Sequence, residues 1–313
     1  MSAELRDVAM GCDLRLIVDL DHEDLLVELR ILVADLERRW SRFIPDSEVN
    51  RLNSANGRPT IVSFETADLV ARAWTAHLAT AGGFNPLMLA EVQAAGYQQS
   101  MLAGSPSDTG RTNLHPRNSR AQPIDGVLAD PASGLVQLPA GVGFDPGGIG
   151  KGRAADLVAE AAVKAGAEWV IADLGGDVRL AGVCPGGSLG SDGHWIIDVA
   201  SSTSAASTSA SETAAVRIAV DGGGVATSGI SKRSWAGGHH LIDPLTGSPA
   251  SNGIERVTVI ASEAWWAEVA ATAAAVANPN EGLRLLNSLD LPGRIVLLDG
   301  SVYCTPSWGR FVL

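Results

Sequence analysis

The segment Phe144-Asp145-Pro146-Gly147-Gly148-Ile149-Gly150-Lys151-Gly152-Arg153-Ala154-Ala155-Asp156 constrains this chain most, because it sets a carboxylate, four glycines and a lysine at a turn that opens a helix. Glycines let backbone N–H groups approach an anion closely, and a helix N-terminus adds a partial positive charge. The pattern is not a Walker A loop, since Gly152 stands where a magnesium-binding Ser or Thr belongs. It also lacks the Gly-x-Gly-x-x-Gly spacing of a dinucleotide fingerprint. Taken alone it is open to two readings, an anion cradle or a structural turn that needs glycine anyway.

A chain of 313 residues buries a large core and supports a cleft. Its 35 acidic against 23 basic residues, net −12, argue against nucleic acid as a partner, which usually demands a basic stripe. Cys12, Cys184 and Cys304 show no C-x-x-C spacing and suggest neither a disulfide framework nor a zinc site. Met1 to Asp13 lacks the apolar region of a signal peptide, and no charge-free run is long enough to span a bilayer. The expectation is a cytoplasmic protein with no stable membrane insertion.

Leu14 to Leu20 reads as a strand, and His22 to Trp40 as a helix with Leu25, Leu29, Leu32 and Leu36 on one face. Ser41 to Asn53 reads as its exit, and Glu65 to Thr80 as a second helix closed by Gly82-Gly83. Further helices are expected over Gly152 to Ala165 and Ala264 to Ala277. Strands are expected at Trp169 to Leu174, Val178 to Val183 and Ile254 to Ala261. Trp195 to Ala200 with Val216 to Val220 reads as a hairpin, as does Arg294 to Leu298 with Val302 to Thr305. Residues 99–123 and 201–215 are polar or Ser/Thr/Ala-rich and are expected to be flexible surface loops. Strands and helices interleave without regular βαβ alternation, so the fold class expected is α+β, with mixed sheets and packed helices.

Glu268 and Thr272 stand four apart in an Ala- and Val-rich helix, so both lie on one face and can converge on one ion. A buried unpaired carboxylate is costly, which favours a cation beside it. The plainer reading has Glu268 facing water and Thr272 bonded back to a carbonyl. His240, Asp243 and Thr246 sit in a loop punctuated by Pro244 and Gly247, where polar side chains reach a site readily. A neutral histidine there can take a proton from a hydroxyl, although His239 or His240 can equally pack and bond to backbone.

Five separated segments occur in order: Asp145 to Asp156, Asp173-Leu174-Gly175-Gly176-Asp177, Val225 to Gly229, His239 to Gly247, and Glu268 to Thr272. Together they resemble the ApbE family, the FAD:protein FMN transferases, over nearly the whole chain and most strongly from residue 144 to 275. The resemblance implies an ApbE-like, T-fold-like architecture in one domain over 1–313, compatible with two interleaved lobes. It also implies FAD as substrate, Mg²⁺, and an acceptor protein with a target Thr or Ser. FMN would be attached through a phosphodiester, with AMP released.

By the same resemblance Gly148, Glu268 and Thr272 are the expected metal ligands, with Glu268 in place of the family's aspartate. His240 is the expected FAD contact and base, and Asp243 its companion in the catalytic loop, orienting the loop or the metal shell. Met10, Phe43, Gly83, Phe84, Asn85, Asp145 and Lys151 are expected around the cofactor, Phe43 standing where a tyrosine is usual and Asn85 where an aspartate is. Two alternatives follow from the departures: an FAD pyrophosphatase yielding FMN and AMP, or an FAD-binding protein without catalysis. The oligomeric state and the acceptor are left open.

Overall fold

A computed structural model of the chain describes residues 2–97, 126–186, 189–200, 215–231, 233–235 and 238–313. The two expected flexible loops, 99–123 and 201–215, lie outside the described residues apart from Ala215. The centre of the fold is an eight-stranded sheet whose order in space is its order in the chain. Its strands are β1 (Ser2–Ala9), β2 (Cys12–Asp19), β3 (Trp169–Leu174), β4 (Asp177–Gly182), β5 (Gly223–Gly229), β6 (Ile254–Ala261), β7 (Gly293–Leu297) and β8 (Val302–Cys304). Every neighbouring pair is antiparallel. The remaining elements are insertions between successive strands, apart from a 3₁₀ turn at Trp308–Arg310 after the last one, and the expected α+β class with packed helices is borne out.

Between β2 and β3 lie α1 (Leu25–Trp40), α2 (Glu48–Ser54), α3 (Phe64–Ala79), α4 (Leu89–Ala94) and α5 (Gly150–Lys164). Between β6 and β7 lie α6 (Ala264–Val276) and α7 (Pro279–Ser288). Side chains alternate across the sheet, so Leu14, Leu16, Val18, Val170, Ala172 and Leu174 join the core under α1 and α5, while Ile17, Trp169 and Ile171 face the other way. That second face is covered by a three-stranded sheet bearing Trp195 and Ile218, and by Trp308. Burial on both faces explains why β3 is apolar up to Asp173; β6 is equally enclosed but buries Glu255, Arg256 and Thr258 among its apolar residues. A register shift between Ile254 and Arg256 keeps Ile254 on the same face as Val257 and Val259.

The sequence reading of the first helix is offset: the buried stripe is Leu26, Leu29, Val33, Leu36 and Trp40, with Leu25 and Leu32 only half-buried. The exit segment contains α2, whose start is capped by Ser47 Oγ accepting from the Asn50 amide at 3.1 Å. The expected hairpin of Trp195 to Ala200 with Val216 to Val220 forms, pairing Val199 with Val216.

Glycine sets how closely α5 and α6 approach. A Cβ on Gly152 would lie 2.5 Å from the Ala264 carbonyl oxygen, and one on Gly224 in β5 would collide with the Ala264 backbone. Asp156, one turn further along α5, has its carboxylate against the start of α6, accepting from the Ala264 amide at 2.8 Å and the Trp265 amide at 2.9 Å. These are orphan donors of a helix N-terminus, so one buried side chain caps a neighbouring helix. The glycine-rich motif thus locks α5 to α6 and leaves its first turn facing the site.

Candidate active site

Two tight hairpin turns stand side by side at one end of the sheet. Gly175 and Gly176, with φ of +66° and +91°, join Leu174 to Asp177, and Met10 and Gly11, with φ of +51° and +71°, join Ala9 to Cys12. A two-residue hairpin of this kind needs positive φ at both positions, which Gly-Gly meets without strain and Met10 does not. The Gly175 amide donates to the Asp13 carbonyl at 2.8 Å, so the two turns hold each other. Asp177 follows directly and is buried.

Asp177 meets Lys151 from the first turn of α5 and Glu268 from α6. The Lys151 ammonium donates to Asp177 Oδ2 and, at 2.5 Å, to Glu268 Oε1. The other oxygen of Glu268 accepts from the Gly152 amide at 2.8 Å. Burial alone would lower the Lys151 pKa, but the carboxylates of Asp177 and Glu268 overcome it and push the ammonium up, so it stays charged. Burial pushes the Glu268 carboxyl above the usual carboxylate range, with Lys151 pulling against it and Asp177 adding to the rise. The reading in which Glu268 faces water does not hold: the side chain is enclosed and paired.

One turn along α6, Thr272 exchanges a hydrogen bond with Ser228 at 2.9 Å. Gly148 backs onto it, since a Cβ there would lie 3.4 Å from Thr272 Oγ1 and 3.0 Å from the Phe84 ring. Gly148, Thr272 and Glu268 therefore share one wall of the cleft, with Ser228 beside them. Among the described residues no group of three or more His, Cys, Asp or Glu side chains is disposed to hold a metal. A hydroxyl, a backbone carbonyl and a carboxylate are all hard oxygen donors, the chemistry that Mg²⁺ takes, often completed by water. The donor set is of the type such an ion takes, although both Glu268 oxygens are engaged here by Lys151 and Gly152.

His240 lines the same cleft. Its Nδ1 lies 3.2 Å from the Arg233 carbonyl, which can only accept, so this bond requires Nδ1–H and leaves Nε2 with the lone pair. Burial and the nearby Arg233 charge lower its pKa to about 3, and the imidazole is neutral. His239 turns elsewhere, its Nε2 against the Ala250 carbonyl at 2.9 Å. Asp243 is not brought to the cleft wall: its carboxylate accepts from the Leu245 amide at 2.8 Å and its carbonyl from Gly247, closing the Pro244 to Gly247 turn.

Phe43 and Met10 line a smaller recess beside the cleft. The Arg42 guanidinium lies 4.2 Å from the Phe43 ring centre and 4.5 Å from that of Tyr97. Arg42 also donates to the Tyr97 carbonyl at 2.7 Å and pairs with Asp145 at 3.5 Å. Asp145 in turn accepts from the Gly147 amide at 2.9 Å, shaping the glycine turn. Gly83, Phe84 and Asn85 follow α3 and line the cleft beside Gly148, Asn85 accepting from the Leu87 amide at 3.0 Å. Phe84 is buried and anchored by His77 on its carbonyl at 2.9 Å.

The cleft holds about 980 Å³, and the recess adds about 110 Å³. A site of that size accommodates a dinucleotide-scale ligand. Sequence reasoning missed Asp177 as a lysine partner, Ser228, Arg42, Tyr97 and Arg233. Asp177 and Ser228 lay inside quoted motifs and Arg42 directly beside Phe43, so all three carried a signal; Tyr97 and Arg233 are placed only by tertiary packing.

The model of the ApbE family matches residues 10–295. The chain is 26% identical over 277 residues to the FAD:protein FMN transferase of Treponema pallidum, covering 86% of this chain and 75% of that protein. The crystal structure of the ApbE protein from Thermotoga maritima superposes with a TM-score of 0.81 over 99% of both chains at 24% identity. The flavin transferase ApbE from Vibrio cholerae does so at 0.78, again over 99% of both chains, at 21% identity. With its cleft at the sheet end, its helix-capping glycine motif and a family match spanning nearly its full length, this chain belongs to the ApbE family.

Proposed function

We propose that the chain is an FAD:protein FMN transferase dependent on a divalent cation. The observation that carries this reading is the meeting of neutral His240, the Lys151–Glu268–Asp177 cluster and the Thr272–Gly148 wall in one 980 Å³ cleft. FAD is the donor, and a Thr or Ser hydroxyl of a partner protein is the acceptor. The hydroxyl oxygen forms a bond to the FMN-side phosphorus while the bond from that phosphorus to the bridging oxygen breaks, and AMP leaves carrying that oxygen. The hydroxyl proton goes to His240 Nε2, which the Nδ1 contact leaves free to accept it.

Transfer of this kind depends on positioning and on balancing charge around the phosphoryl group more than on covalent chemistry by the protein. Gly148, Thr272 and Glu268 would hold Mg²⁺, which when bound supplies Lewis-acid charge stabilisation. Asp177 keeps Lys151 charged and directed along the wall, and the Gly152 amide keeps Glu268 from rotating away. The recess beside Phe43 and Met10 receives part of the flavin ring.

The engagement of both Glu268 oxygens by Lys151 and Gly152 favours a second reading, an FAD-binding protein without turnover. Release of AMP from FAD and Mg²⁺ separates the readings. AMP that appears only with an acceptor protein supports transfer. AMP without acceptor indicates hydrolysis, and FAD that stays bound and unchanged supports the non-catalytic reading.

A further inference from the structure

Four cations line the described wall of the cleft: Arg6, Arg15, Lys151 and Arg233. Three are already answered. Arg6 and Arg15 both pair with Glu4, at 2.5 and 2.9 Å, and Lys151 lies between two buried carboxylates. Lys151 is thus already engaged by Asp177 and Glu268 and has few donors left for a pyrophosphate. Arg233 differs, because its guanidinium has no hydrogen bond or ion pair among the described residues.

The position of Arg233 is equally informative. The main cleft and the recess beside Phe43 share Gly11, Tyr97, Asp145, Gly147, Lys151 and Arg233. Of the three charged side chains at that junction, Asp145 is paired with Arg42 and Lys151 with its two acids. A dinucleotide spanning both cavities has its charged bridge between two ring systems. With one ring system in each cavity that bridge would meet the junction, where Arg233 is the charge without a partner among the described residues.

We propose that Arg233, rather than Lys151, is the residue that binds the pyrophosphate bridge of the dinucleotide. This assignment rests on the transferase reading above. A guanidinium offers paired donors that match two phosphate oxygens, while an ammonium is a single point charge. The Arg233 charge is also felt at His240 and Lys151, consistent with its facing the same space. Because the backbone carbonyl of Arg233 holds His240 Nδ1, the residue that grips the anion also orients the base. Its side chain can be changed without removing that carbonyl.

The test is equilibrium binding of FAD, ADP and riboflavin to the full chain and to Arg233→Gln and Arg233→Lys, followed by fluorescence at low and high salt. Arg233→Gln is expected to weaken FAD and ADP by about tenfold or more while riboflavin, which has no phosphate, stays within about twofold. Arg233→Lys recovers part of the loss, and the salt dependence of FAD binding shrinks in the Gln variant. FAD affinity unchanged in Arg233→Gln, or riboflavin weakened as much as FAD, overturns the assignment. A folded parent chain that fails to bind FAD overturns the transferase reading and this assignment with it, whereas equal binding by parent and Gln variant strikes the assignment alone.

Discussion

The Gly152 amide donates to the Glu268 carboxylate across 2.8 Å, tying the first turn of α5 to the second turn of α6. The bond exists because the two helices touch through glycine, with no side chain between Gly152 and the Ala264 carbonyl. The same contact brings Lys151 beside Glu268. Close helix packing and the electrostatics of the cleft are therefore one feature of the fold.

Gly152→Ala is expected to cost about 3 kcal/mol or more, because its Cβ would meet backbone that cannot rotate away. Gly309→Ala is the matched control: nothing lies within 4 Å of its added Cβ, and its effect stays within about 0.5 kcal/mol. Thermal or denaturant unfolding reads both. Equal stability in the two variants would sink the packing account.

Shortening the buried acid tests the ion pair. Glu268→Asp withdraws the carboxylate by about one bond length, roughly 1.5 Å, so the Lys151 and Gly152 contacts cannot both survive. Stability without cation drops by about 1–3 kcal/mol, the worth of a charged hydrogen bond. The released carboxylate also lowers the Mg²⁺ concentration needed to raise the unfolding temperature. A variant that matches the parent in both stability and Mg²⁺ response contradicts this picture.

Two buried groups act on acid stability in opposite directions. His240 is depressed from 6.5 to about 3, so the stability it contributes is complete above pH 6.5 and is lost as pH falls towards 3. Asp156 is raised from 3.8 to about 6 by burial, against the helix amides that lower it, so its contribution is complete below pH 3.8 and is lost as pH rises through 6. Between pH 4 and 6 the two partly cancel. Denaturant midpoints across that range should fall more steeply with acid in Asp156→Asn and less steeply in His240→Asn. Parallel profiles for the parent and both variants would refute the assignment.

The base is separable from binding. His240→Asn is expected to retain FAD at saturating concentration while turnover falls by about 10²–10⁴, the usual contribution of a positioned proton acceptor. Steady-state AMP release with acceptor measures it. Turnover that survives the substitution removes His240 from the proton path.

Much of the fold was legible where periodicity and burial agree. β3 and β6 match their expected ranges, because their β-branched and apolar residues are bounded by glycine- and serine-bearing turns. β1 was missed because this edge strand carries Glu4, Arg6 and Asp7 on an exposed surface, which hides the alternation. α7 was missed despite a readable start, with Asn278 capping the Glu281 amide at 3.0 Å and Pro279 in its first turn. In the site, the motif residues Gly148, Lys151, Glu268 and Thr272 come together, while Asp243 serves its own turn. Local sequence shows Lys151 as a cation but not that Asp177 and Glu268, from a hairpin and a distant helix, converge on it. Asp156 was visible only as a motif aspartate, since its role as a cap depends on a helix more than a hundred positions away.

The central claim is tested most directly by the intact mass of an acceptor protein after incubation with this chain, FAD and Mg²⁺. The acceptor is predicted to gain one FMN unit on a Thr or Ser, with an equal amount of AMP released. The gain is predicted to disappear in His240→Asn. An acceptor of unchanged mass while FAD is consumed, or FAD that remains intact with every acceptor carrying the family's target threonine, would contradict it.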